Sequence, residues 1–112
     1  MEKFPDVPGA DKLLQWFGGS PSFHDAEVLQ LHLDRSNTSW IRIMTTYKPV
    51  VVTFRLEEVA DLELADFSCQ NVISALTLER KDKVYRLTLS PCFGIAGFIE
   101  AERIEIEISP VS

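Results

Sequence analysis

Residues 26–43 read AEVLQLHLDRSNTSWIRI, and their spacing decides what kind of chain this is. Leu29, Leu31 and Leu33 alternate with Gln30, His32 and Asp34, the period of two that belongs to a half-buried strand. RSNTS at 35–39 reads as a turn, and WIRIMTTY at 40–47 alternates again, with Ile41 and Ile43 facing one way. The same rhythm continues outward. Lys48–Pro49 interrupts it, VVVTFRL at 50–56 is a β-branched strand, and Glu57–Glu58 reads as an acidic turn. VADLELADF at 59–67 is a weaker strand with Leu62 and Leu64 on one side. VISALTLER and VYRLTLS flank Lys81–Asp82–Lys83 as a hairpin, and FIEAERIEIEIS at 98–109 is the last strand.

Only residues 10–17 carry a helical signal. Leu13, Leu14, Trp16 and Phe17 share a face at helical spacing, and Gly18–Gly19 stop the turn. A helix of about two turns does not persist alone in water, so it must dock, and its aromatics belong to a core anchor rather than to a contact patch of Trp16, Phe17 and Phe23. The expectation is a mainly β chain, α+β at the margin. It is a single domain over 1–112 with strands from 26 to 108, built as an antiparallel sandwich or an open barrel of about seven strands with one short N-terminal helix.

The composition fits that expectation. Of 112 residues, 46% are hydrophobic and 25% charged, the balance of a globular chain that builds its own core without disulfides or metals. Seventeen acidic residues against eleven basic ones give a formal charge of −6, which argues against a binder that tracks nucleic-acid phosphates. The opening MEKFPDVPGADK has no apolar run of the kind an export signal needs, and no run approaches membrane-spanning length. The expected location is the cytoplasm. Cys69 and Cys92 match no metal-ligand spacing; buried free thiols are the favoured reading, with one disulfide as the alternative.

Two carboxylates fall out of phase. Glu27 shares the parity of Leu29, Leu31 and Leu33, which points it to the core side. In the last strand, Ile104, Ile106 and Ile108 define an inner face whose parity, carried back, takes in Glu102, Glu100 and Phe98. Either a bulge near Ala101 resets the phase or a glutamate enters the sheet's inner edge, where it needs a partner. His24 is the nearest candidate partner, and Asp25 could hold its ring or cap the local backbone.

The stronger reading makes His24, Asp25, Glu27 and Glu100 a structural joint between the helix-to-strand connection and the last strand, with no catalytic residue. The competing reading makes them the site of a small metal-dependent enzyme or ligand-binding module. One imidazole is thin for zinc, His32 has the parity of the polar face, and no calcium or magnesium loop is present, so no metal and no cofactor are expected. Gly94–Ile95–Ala96–Gly97 lacks the strand–turn–helix setting of a phosphate loop, and no nucleophile elbow surrounds a serine. A Cys92–His24 nucleophile pair would depend entirely on tertiary proximity.

The segments WFGGSPSFHDAEVLQLHLDR at 16–35 and GFIEAERIEIEI at 97–108 resemble the immunity protein 50 family of bacterial polymorphic toxin systems. The likeness runs from Trp16 to Ile108, and its most recognisable parts are His24–Asp25–x–Glu27 and Gly97–x–x–Glu100. The resemblance implies a mainly β antitoxin, not an enzyme, encoded beside a contact-dependent toxin and acting by binding the toxin domain directly. The acidic balance would suit a basic toxin, since opposite fields speed encounter. Glu57, Glu58, Asp61 and Glu63 form the densest acidic stretch and the first patch to test as a partner-binding surface, with a solvated edge as its simpler explanation. The expected partner is one cognate toxin domain, with no nucleic acid and no membrane, and the expected state is a monomer or weak dimer.

Overall fold

The computed structural model describes residues 4–34 and 36–111. One helix precedes six strands: α1 (Ala10–Phe17), β1 (Ala26–His32), β2 (Ser39–Met44), β3 (Val51–Ala65), β4 (Val72–Lys81), β5 (Val84–Phe93) and β6 (Ala96–Ser109). The strands are antiparallel and close into a barrel in the order β1-β2-β3-β6-β5-β4.

The two stretches read as separate strands at 50–56 and 59–67 are one strand, β3, which is why six elements stand where about seven were expected. Glu57–Glu58 is not a turn. Glu58 takes a left-handed backbone (φ 56°) inside the strand and bends it. Ala60 is an extra residue against β6: Val59 pairs with Ala101, but Asp61 pairs with Glu100. The first half of β3 pairs with β2 and the second half of β6, whereas its second half pairs with the first half of β6, which in turn carries β5. Both long strands therefore pass from one layer to the other, and the corner between layers is made by bent strands rather than loops. Closure on the opposite side rests on two residue pairs, Ala26–Ile73 and Glu27–Val72.

Phe54, Ile41, Ile43, Leu56, Ile73, Leu87 and Ile99 fill the interior and are almost wholly shielded from water. The helix supplies Ala10, Leu13 and Phe17 to the same core. Its buried face is thus 10, 13 and 17, not the expected 13, 14, 16 and 17: Trp16 lies on the outer side with its indole N–H donated to Lys48 O at 2.9 Å. Phe17 and Phe23 are core residues, as expected of a docked helix and its exit. Gly9 sets the helix against the sheet. The Ile106 N–H bonds to Pro8 O at 2.8 Å, and a Cβ on Gly9 would lie 1.7 Å from Ile106 O.

The β1–β2 turn is tied by Asp34, whose Oδ1 accepts from the N–H groups of Ser36 and Asn37. The Ser36 N–H first, then the Asn37 side chain, lowers its carboxyl below the ordinary 3.8. Arg35, inside the turn expected at 35–39, lies outside the described residues. Cys69 and Cys92 are both exposed free thiols, which corrects the expectation that they are buried. They lie in the β3–β4 loop and near the end of β5, away from the packed interior.

Candidate functional site

His24 and Asp25 sit in the connection from α1 to β1. Asp25 adopts a left-handed backbone (φ 60°), a conformation short polar side chains tolerate. Thr46 holds it by donating its hydroxyl to Asp25 O at 2.7 Å. The His24 ring meets Ser74 O through Nδ1 at 3.3 Å and the Asp25 carboxylate through Nε2 at 3.5 Å. A carbonyl can only accept, so the Ser74 contact is a hydrogen bond in the form of the ring that carries its proton on Nδ1. With its side chain 72% exposed, the imidazole is a surface group. Cys92 Sγ donates to the other oxygen of Asp25 at 4.0 Å. The tertiary proximity on which a Cys92–His24 pair depends is thus present, but in an order unsuited to it. Asp25 stands between thiol and imidazole, whereas a general base must reach the sulfur itself.

Glu27 is exposed and does not face the core. The cause is a bulge. Val28 pairs with Ile43 and Leu31 with Ile41, so β1 spends three residues where β2 spends two, and Leu29 is the extra one. Ala26 and Val28 face inward before the bulge and Leu31 after it, which leaves Leu29 on the surface. Glu100 is elsewhere again. It lies directly across from Arg86 and accepts the Arg86 Nε–H at 2.8 Å, with the guanidinium 4.0 Å above the Phe98 ring. That pair is the most sheltered ion pair among the described residues, with Glu100 17% exposed. Of the two options weighed for the last strand, the phase reset is the one observed. Ile99 and Ala101 point inward, then Ile104 and Ile106, with the change opposite Glu58.

His24 and Asp25 are therefore together, Glu27 borders them in sequence only, and Glu100 belongs to a different face. Among the described residues no three His, Cys, Asp or Glu side chains converge as metal ligands. Replacing His24 by Ala should change stability by no more than about 0.5–1 kcal/mol, because an exposed ring with one long bond carries little burial. Thermal unfolding of the variant checks this.

The joint itself depends on a residue the sequence reading passed over. Asn71, 4% exposed, accepts the N–H groups of Ser68 at 2.9 Å and Ile95 at 3.0 Å on Oδ1, and donates Nδ2 to Ser68 O at 2.7 Å. Its own carbonyl accepts from Val28 N at 2.8 Å. The side-chain amide thus ties the β3–β4 loop to the β5–β6 turn, and the backbone carbonyl of the same residue ties both to β1. The signal available in the sequence was an Asn before a strand, which alone reads as an ordinary turn residue. Asn71→Ala should cost about 1–3 kcal/mol by stranding the buried Ile95 N–H, measured by urea unfolding.

The acidic stretch is divided by the strand bend. Arg103 bonds Glu57 at 3.1 Å and Glu58 at 3.3 Å, and Arg55 bonds Glu107 at 3.1 Å. The hydrogen bond that Arg103 donates to Glu57, then the charge of Glu58, raises the Arg103 pKa further. Beyond the bulge, Asp61 and Glu63 form no ion pair among the described residues, and Asp61 Oδ1 accepts from Leu62 N at 2.9 Å. Glu57 and Glu58 therefore share one cation, whereas Asp61 and Glu63 have none among the described residues.

Fold and surface define a small, mainly β barrel with a filled interior and, among the described residues, its charged groups distributed over the outside. No protein-family model, no curated protein and no solved structure matches this chain. Among the described residues no helix is long and apolar enough to cross a membrane.

Proposed function

We propose that this protein is a cytoplasmic immunity-type antitoxin that binds one cognate bacterial toxin domain and neutralises it without catalysis. The observation that carries the reading is the filled interior, where Phe54, Leu56, Ile41 and Ile43 are fully buried in one core cluster. A barrel filled this way has its ligand-binding volume occupied by its own side chains, so recognition falls to the outer surface, as in a protein–protein binder. The resemblance of residues 16–35 and 97–108 to immunity protein 50 sequences supplies the partner class. The net charge of −6 favours a basic toxin and a salt-sensitive encounter.

The test is co-expression with the polymorphic toxin domain encoded beside its gene. Growth should be restored, and the two purified proteins should co-elute as a stoichiometric complex whose association slows as salt is raised. A folded chain that neither protects nor forms the complex would overturn the reading.

A further inference from the structure

The second half of β3, residues 59–65, pairs with β6 on one side only. β2 begins at Ser39, opposite Leu56, so it stops before β3 does. Among the described residues no strand or loop backbone bonds to the other side of β3 from Val59 to Ala65. This open edge is about 23 Å long at strand rise.

A surface groove of about 500 Å³ runs beside it, lined by Leu33, Asp34, Ser39 and residues 59–62. Leu62 pairs with the buried Ile99 and so has the inward parity, yet it is 40% exposed, because nothing covers the edge there. Leu33, across the groove, is 43% exposed. Asp61 and Glu63 alternate with Leu62 on the outward parity, and both carboxylates are free of ion pairs among the described residues. The groove's described lining holds Asp34 and Asp61 and no cation.

We infer that the edge of β3 at 59–65 accepts an extended, basic segment of a partner protein as an added antiparallel or parallel strand. Backbone bonding supplies the attachment, and the alternation of the edge dictates the sequence that fits. Apolar side chains of one parity would cover Leu62 and Leu33, and Lys or Arg of the other parity would lie beside Asp61 and Glu63. A second copy of this chain is a poor occupant, since edge-to-edge pairing would set Asp61 and Glu63 against their own like charges. The inference deepens the antitoxin reading and rests on it for the identity of the partner, though not for the chemistry of the segment.

The probe is a soluble heptapeptide alternating Val and Lys, titrated into the full-length protein and followed by amide chemical shifts. Shifts should concentrate at 59–65 and at Leu33, Asp34 and Ser39. Affinity should fall at least about tenfold in Asp61→Lys/Glu63→Lys, and a Val/Glu peptide should leave the spectrum unchanged. The variant Glu102→Lys/Glu105→Lys, with the same change in net charge on β6, should bind the Val/Lys peptide nearly as well as the parent. Shifts spread over the whole surface, or equal losses in both variants, would overturn the inference in favour of general charge attraction. The toxin arm separates the two readings. A toxin bound and neutralised equally by Asp61→Lys/Glu63→Lys sinks the edge as its docking site and leaves the antitoxin function standing. Failure of the unaltered protein to protect sinks the function and leaves the peptide result to stand alone.

Discussion

Gly97→Ala should destabilise the protein by at least about 3 kcal/mol, and lower its melting temperature by about 10 °C or more. Two effects add. Gly97 sits mid-sheet, between Leu64 on β3 and Leu89 on β5, with φ at 130°, a backbone region that L side chains rarely enter. A Cβ there would also lie 1.9 Å from Glu63 O and 2.9 Å from its carbonyl carbon, so the methyl can fit only if β3 and β6 separate. Gly18→Ala provides the comparison. Gly18 has φ at 70° and nothing within 4 Å of an added Cβ, so it carries only the conformational cost of about 1–2 kcal/mol. Chemical denaturation of both variants decides the point: equal losses would mean that the approach of the two strands at Gly97 contributes nothing. The recognisable glycine of the Gly97–x–x–Glu100 segment is on this account a packing requirement.

Phe54→Ala should cost about 4 kcal/mol and lower the melting temperature by about 15 °C. Phe54 is fully buried, its ring centroid is 6.0 Å from that of Phe23, and its cross-strand neighbours are Ile41 and Ile106. Those neighbours belong to β2 and β6, held in register by their own ladders, so the wall cannot collapse onto the space a benzyl group leaves. A total stability of about 5–15 kcal/mol is usual for a domain of this kind, so this one change removes a large share of it. Phe93, 63% exposed, should tolerate the same substitution within about 0.5 kcal/mol. A calorimetric comparison of the two variants tests whether the core is centred on Phe54. If Phe93→Ala were the more damaging, the assignment of inside and outside on β5 would be wrong.

Alternation of apolar and polar residues made most of the architecture legible. The helix at 10–17, the hairpin around Asp82 and the antiparallel β class all follow from local periodicity and turn chemistry, which act over a few residues. Parity was legible only as far as each strand stayed regular. In the last strand the repeated misfit of Glu100 and Glu102 exposed the phase change, because three isoleucines on one side and a fixed spacing on the other cannot both hold without it. In β1 the extra residue Leu29 left no such trace. Leucine suits the inner and the outer position equally well by composition, so the run 27, 29, 31, 33 looked continuous and turned Glu27 the wrong way. Glu57–Glu58 misled in the opposite direction. Two adjacent acids resemble a turn, but the ladder to β6 runs through them, with Glu57 opposite Arg103 and Val59 opposite Ala101.

The candidate site divides along the same line. The closeness of His24 and Asp25 is written in their adjacency, whereas the meeting of Asp25 with Cys92, 67 positions away, depends on β5 returning beside the start of β1. The sequence by itself determined the strand class, the single short helix, the acidic balance and the residues available for an inner face, because these depend on nearest neighbours and composition. Tertiary structure alone decided that β3 is one bent strand and that Asn71 joins three segments. It alone also paired Glu57 and Glu58 with Arg103 and left Asp61 and Glu63, among the described residues, without an ion pair along an open edge. Those outcomes depend on which strands end first and where two ladders share a bend, and such long-range register is set by the whole barrel closing at once.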